Sequence, residues 1–351
     1  MNKYDISVIG SGMGGSMIAS LNKHKNIVVF EKDKNIGGCA STFKRFGSHF
    51  NAGATTFVGY EKDHIIKKIF DKANFIPNLS KSDIAFRVIQ EGKVIDRVKD
   101  FEEFLENINK IFPNKNNREF WQKLKQLDEK FWQIDEIYYN RYGFKSNIKT
   151  LNSIFTLFSN FKFDLFKNAN DFIKEVLGEI SKEYQDFIDS QLLITLQTTS
   201  QNIPLISLAL GLCYPFHDVF YVNGGMGKLF EGLLSDVKLR RKEEVLSILK
   251  EKEFYRIIST KDEYLTKNII LNSSIYNSSK LFVDENIISY YKKFSFSDQS
   301  AFVVNFILNS KEEFLHHYQI ILKEKIPNMI SNSFFISISD KNDEIMSKNA
   351  L

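Results

Sequence analysis

The chain has 351 residues, 43% of them hydrophobic, which allows a sizeable core and suits two domains better than one. Its 47 basic and 43 acidic residues leave a net charge of +4, so charge gives no argument for a nucleic-acid partner, and none is expected. Two cysteines, Cys39 and Cys213, exclude a disulfide framework and suit a reducing compartment; with no leader pattern after Met1 and no apolar run of about 20 residues, a cytoplasmic protein is expected. The 33 phenylalanines accompany abundant Lys, Asn and Ile, a bias that an AT-rich genome produces, and carry no ligand signal by themselves.

Tyr4 to Ile9 reads as a buried parallel strand. It runs into Gly10-Ser11-Gly12-Met13-Gly14-Gly15, and Ser16 to Leu21 continues as a helix of small residues. Strand, GxGxxG, helix is the context of a dinucleotide fingerprint. Gly10 permits the tight turn, Gly12 lets backbone approach a pyrophosphate, and Gly15 lets the helix pack on the sheet. Phosphates then lie at the helix N-terminus, where free N–H groups and the dipole favour anions. A second strand, Asn26 to Phe30, ends in Glu31-Lys32 at the spacing of about 20 residues where a carboxylate accepts bonds from a ribose.

The next segment separates FAD from NAD. Gly37-Gly38-Cys39-Ala40-Ser41-Thr42-Phe43 follows closely, then a hairpin over 44–50 turning at Gly47, then Gly53-Ala54-Thr55. A simple NAD domain has no need of a glycine pair there, whereas an extended FAD runs past this second loop, where Cβ atoms would clash. NAD is kept as a weaker reading.

The stretch EKDKNIGGCASTFKRFGSHFNAGATTFVGYEKDHIIKKIF resembles that of phytoene desaturases, carotenoid desaturases and carotenoid isomerases. The resemblance implies an α/β fold: a Rossmann-like FAD-binding domain of the GR2/amine-oxidase type with an inserted α+β substrate domain. It also implies FAD as cofactor. Gly10, Ser11, Gly12, Met13, Gly14 and Gly15 would form the pyrophosphate turn. Glu31 and Lys32 would lie at the adenosine ribose, Gly37 and Gly38 in the second loop, and Gly53, Ala54 and Thr55 at the isoalloxazine. Many amine oxidases carry an arginine after the glycine pair; Cys39 favours the desaturase and isomerase branch.

Residues 81–220 change character. Phe101 to Phe112 and Phe120 to Ile137 show helical apolar faces. Leu151 to Phe166 carries five phenylalanines, and buried core is its expected setting, ahead of a tunnel wall or membrane-facing element. Tyr221 to Leu229 contains Gly224-Gly225-Met226, similar to the family segment where a glycine turn opens a helix beneath the flavin. The strands 237–239 and 244–248 follow, and the resemblance gives the Val245 backbone to adenine. Strands are expected over 254–259 and 269–273. The basic cluster Lys238, Arg240, Arg241 and Lys242 is read as a solvated strand end. The domains are thus 1–80 with 221–285 for FAD, and 81–220 with 286–351 for substrate.

Near the C-terminus, 300–307 and 334–339 read as strands, and Lys311 to Leu322 as a helix. Adjacent histidines, His316 and His317, diverge on a helix, and no other histidines have ligand spacing, so no metal is expected. The family carries a second glycine-rich segment near its C-terminus, whereas no glycine follows Gly232 here. The expectation is therefore a truncated or split gene completed by a second chain, a decayed homologue, or a weak binder of the adenosine half. The main functional reading is an FAD-dependent desaturase, saturase or isomerase for an apolar polyene or isoprenoid such as a carotenoid, with peripheral contact to the inner membrane face. The alternative is a non-catalytic nucleotide- or lipid-binding partner or remnant. No catalytic residue stands out.

Overall fold

The computed structural model describes residues 1–134, 136–139, 143–294, 300–308, 310 and 312–347. A six-stranded sheet carries the N-terminal fingerprint. Its strands are β1 (Asn2–Ile9), β2 (Ile27–Glu31), β9 (Lys238–Arg241), β10 (Val245–Glu251), β11 (Phe254–Ser259) and β12 (Glu263–Leu271), in the order β10-β11-β12-β1-β2-β9. The pairings β12-β1, β1-β2 and β2-β9 are parallel, and β10-β11-β12 is an antiparallel meander. Every residue of β2 is buried, as a central parallel strand covered on both faces requires. Ile27 and Val29 face one core with helices α1 (Met13–Leu21), α2 (Ile65–Lys72) and α9 (Gly227–Leu233), while Val28 and Phe30 face a second core with Val245, Ile257 and Tyr264.

A hairpin of β3 (Thr42–Arg45) and β4 (Ser48–Asn51) leaves this layer. The strands β5 (Leu79–Ser82) and β8 (Val219–Val222) pair antiparallel where the chain leaves for the helical region and comes back. That region holds α3 (Phe101–Ile111), α4 (Asn117–Trp132), α5 (Phe144–Phe161), α6 (Ala169–Leu177), α7 (Lys182–Thr195) and α8 (Leu205–Cys213). Phe104, Trp121, Phe172, Phe187 and Leu208 build its core. A four-stranded sheet, order β14-β13-β6-β7, joins β6 (Ile84–Gln90) and β7 (Lys93–Val98) to β13 (His317–Ile321) and β14 (Ser333–Ser337). Two short helices, α10 (Ile275–Ser278) and α11 (Glu285–Tyr291), follow the first sheet.

Three local expectations are corrected. The segment around His316 and His317 is strand, not helix: His317, Gln319 and Ile321 are buried while Tyr318 and Ile320 are half-buried, the period-2 pattern of β13; Lys311 lies outside the described residues. Residues 300–307 form no strand, because a strand needs a pairing edge and this run has none among the described residues. The apolar stripe over 151–166 is not core: Leu151, Ile154, Phe155, Phe158, Phe163 and Phe166 are exposed, and Phe161 alone of its phenylalanines is buried. Its helical period was legible, but a period does not say whether a neighbour covers the face.

His317 ties this four-stranded sheet to the segment that follows β4. Its Nδ1 lies 3.2 Å from Ser337 Oγ and its Nε2 3.3 Å from Thr56 Oγ1. Burial, and secondarily the adjacent His316, push its pKa down to about 3. As pH falls below about 6.5 the unfolded chain takes up this proton while the folded chain does not until about pH 3, so stability falls through that window. Between about pH 7 and pH 5 this group alone removes about 2 kcal/mol. Urea unfolding of wild type and His317→Gln at both pH values should show this extra loss in wild type only; identical pH dependence would contradict a neutral buried imidazole.

Candidate dinucleotide-binding site

Gly10 leaves β1 at φ +100°, where L side chains are rarely found, and its N–H donates to Phe30 O at 2.8 Å. Helix α1 then starts with Gly12 as N-cap, with no side-chain cap and no acidic residue in the first turn. Its leading N–H groups therefore form an uncapped positive end suited to an anion. A Cβ on Gly15 would lie 2.2 Å from Gly10 O, so glycine there is a condition of helix and turn meeting.

Glu31 closes β2 and is buried. Its Oε2 accepts from Ser11 N at 3.0 Å and from Ser11 Oγ at 2.5 Å, and its Oε1 accepts from Asp33 N at 3.0 Å. Ser11 Oγ in turn accepts from Gly37 N at 3.2 Å. One carboxylate and one hydroxyl thus join the first turn, the β2 tip and the second loop. A carboxylate has about four lone-pair sites, so capacity for a further donor remains.

Gly37 and Gly38 both take positive φ, +106° and +59°. A Cβ on Gly37 would enter the Phe230 ring of α9, whereas one on Gly38 would meet only the Gly12 Cα, at 3.6 Å. The two glycine loops therefore approach each other backbone to backbone. Gly53 packs on Cys39 O, and Ala54 N donates to it at 3.1 Å. Ala54 is exposed, and Thr55 Oγ1 lies 2.7 Å from Ser337 Oγ of the second sheet. Gly225 and Gly227 pack on Thr42, whose Oγ1 accepts from Gly227 N at 2.8 Å, and Met226 N donates to Asn51 Oδ1 at 3.0 Å. The loops 10–15, 37–43, 53–55 and 224–227 form one connected group.

Met13 is half-buried at the start of α1 with its side chain against the first core, Gly14 is exposed, and Lys32 points into solvent. Val245 opens β10 and is buried; Glu243 N donates to Glu31 O at 3.0 Å, which ties the approach to Val245 to the β2 tip.

Sequence reasoning missed Asn272. The successor of β1 lies on one side of it and β12 on the other, so the strand order reverses between β1 and β12, the place where open α/β sheets bind ligands. Asn272 follows β12 there: its N–H donates to Ile9 O at 2.8 Å, and its carboxamide would lie 2.9 Å from a Cβ on Gly12, Gly14 or Gly15. The readable signal is its place just after a strand parallel to β1. Asp343 was missed too. Its Oδ2 accepts from Gly224 N at 2.7 Å and Tyr221 OH at 2.8 Å. Burial alone would raise its pKa, but these bonds and those from Met346 and Ile345 outweigh it and hold the group below its ordinary value.

This is the fold of a Rossmann-like dinucleotide-binding domain of the FAD and amine-oxidase type with a second α+β region. Residues 8–73 match the family described as the NAD(P)-binding Rossmann-like domain. The chain is 24% identical over 263 residues to a 4,4'-diapophytoene desaturase (4,4'-diaponeurosporene-forming) of Staphylococcus haemolyticus, covering 72% of this chain and 51% of the desaturase. An oxidoreductase from Methanosarcina mazei superposes with a TM-score of 0.55 at 17% identity, over 83% of this chain and 64% of that one. A putrescine oxidase double mutant gives a TM-score of 0.55 at 12% identity, over 83% and 63%. The chain is thus similar to part of that desaturase and spans about half of its length.

Replacing Glu31 by Ala strands the N–H groups of Ser11 and Asp33, and should cost about 3 kcal/mol in urea unfolding. Gly15→Ala should cost at least about 2 kcal/mol, because the nearest clashing atom, Gly10 O at 2.2 Å, is backbone. A loss below about 0.5 kcal/mol for either would contradict the described turn.

Proposed function

We propose that this chain binds FAD and serves an oxidoreductase, a desaturase, saturase or isomerase, acting on an apolar polyene or isoprenoid such as a carotenoid. The observation that carries the reading is the joining of the glycine turn, the second glycine loop and the buried Glu31 by Ser11. An uncapped helix end offers N–H groups to a pyrophosphate, and Gly38 leaves the second loop without a Cβ beside it, while the Asn272 carboxamide lies over the first turn. Asn272 would add a donor and an acceptor beside it, Glu31 and the approach to Val245 would take the adenosine end, and Gly53 to Thr55 with Gly224 to Met226 the ring end. When bound, the flavin supplies the redox chemistry. The chain's own part is to hold and orient it; the name of the staphylococcal relative supports the polyene class.

We also propose peripheral membrane contact through α5. Phe144, Leu151, Phe155 and Phe158 are exposed along it, Phe163 and Phe166 just beyond it, with Lys145 and Lys149 exposed on the same helix. No described helix is long and apolar enough to cross a membrane. A second functional reading, a nucleotide- or lipid-binding partner that completes itself with another chain, is favoured by exposed Phe302, Val303, Val304, Phe306, Ile307 and Leu308.

Purified protein titrated with FAD should bind it, with flavin bands in its visible spectrum, and Glu31→Gln should weaken binding tenfold or more. A colourless protein that binds no added FAD would sink the flavin reading and leave the partner reading. In liposome co-sedimentation with anionic vesicles, the double change Leu151→Glu with Phe155→Glu should reduce the bound fraction tenfold or more. Equal sedimentation of variant and wild type would remove α5 as the contact.

A further inference from the structure

Four side chains from three places in the sequence, Glu61 with His64, Asp128 and His217, meet where α2 begins, beside α4 and the turn before β8. Ligand atoms of Glu61, His64 and His217 all lie within 4.8 Å of one another. Glu61 Oε2 is 3.8 Å from His64 Nε2 and 3.8 Å from His217 Nδ1.

Each group is oriented by something else. Glu61 Oε1 accepts from Lys99 Nζ at 2.9 Å and from Asp218 N at 2.6 Å, which leaves Oε2 for the cluster. His217 Nε2 lies against Asp128 Oδ2; in the neutral ring that donates there, Nδ1 carries the lone pair. A carboxylate behind a histidine is the arrangement that fixes the tautomer of a metal-bound imidazole. The His64 ring stacks on Trp132, with centroids 4.6 Å apart and planes 8° from parallel. The His64 side chain is 9% exposed, and its Nδ1 is buried without a hydrogen-bond partner. Charge points the same way: the carboxylates of Glu61, Asp128 and Asp218 outnumber the ammonium groups of Lys81 and Lys99, which pair with Glu61 and Asp218. His217 and Lys99 also line a cleft of about 330 Å³, which gives a route in from solvent.

We propose that Glu61, His64 and His217 bind one first-row divalent cation, with zinc the best fit, and that Asp128 positions His217. Ligands about 2.0–2.2 Å from a tetrahedral ion stand about 3.4 Å apart, so the two 3.8 Å pairs close onto it by a few tenths of an ångström and the His64–His217 pair, within 4.8 Å, by up to about 1.4 Å. Two imidazoles and a carboxylate leave the fourth position to water. The ion ties the start of α2, in the dinucleotide layer, to α4 of the helical region through His217 and Asp128. Glu61 and His64 stand three residues apart in the sequence, whereas Asp128 and His217 reach them only through the fold.

The test needs no flavin. The full chain, freed of metal by chelator, is titrated with Co(II), followed by visible absorption and by fluorescence of its two tryptophans, Trp121 and Trp132. One equivalent should give the ligand-field bands of a four- or five-coordinate ion, quench the Trp132 emission, and be displaced by one equivalent of Zn(II). His64→Gln and His217→Gln should each weaken binding about 100-fold, Asp128→Asn about tenfold, and the exposed His24→Gln not at all. Zinc should raise the wild-type Tm by about 5 °C and leave the double His64→Gln, His217→Gln variant unchanged. Absence of the Co(II) bands in the wild-type chain overturns the site whatever the variants do, and so does their persistence in the double variant.

Discussion

A buried carboxylate at the end of β2 sets the geometry on which the candidate site depends. Glu31 cannot be withdrawn from water without partners, and it finds them in the backbone and hydroxyl of Ser11 and in the backbone of Asp33. Ser11 then has an oxygen to offer to Gly37. The turn after β1, the tip of β2 and the second glycine loop are held in one register by a single charge-assisted network rather than by apolar packing alone.

The rest of the architecture is arranged around that corner. Parallel pairing places the ends of β12, β1, β2 and β9 on one edge, and the reversal of strand order between β1 and β12 opens a crevice there. Asn272 lines one flank of it, and Phe230 of α9 braces Gly37 on the other. The second region reaches the same corner through Thr55 and Thr56, which meet Ser337 and His317. A cation at Glu61, His64 and His217 adds a further tie between the two regions, away from that crevice.

The first sixty residues were readable because their constraints are local. A glycine pattern between a strand and a helix, and an acid at the next strand end, depend on backbone sterics and the length of one βαβ unit. The expected hairpin at Gly47 and the glycine turn before α9 appear for the same reason. What depended on distant neighbours was not readable. The stripe over 151–166 has a helical period whether or not another element covers it. The run 300–307 has strand-like residues but no edge to pair with among the described residues. His317 lies on a strand because β6 and β14 flank it, which a local helical pattern did not disclose. Asn272 meets the glycine turn, and His217 meets Glu61 and His64, only through the fold.

Amide hydrogen exchange, followed residue by residue with and without added FAD, addresses the claim that Ser11 and Glu31 preform a dinucleotide cradle. The account predicts slow exchange at the Ser11 and Gly37 amides before any ligand is added. It predicts new protection on FAD addition confined to the amides of 12–15, of the 37–43, 53–55 and 224–227 loops, and of 243–245. Fast exchange at Ser11 in the free chain, or protection that falls elsewhere while these loops stay unchanged, would contradict it.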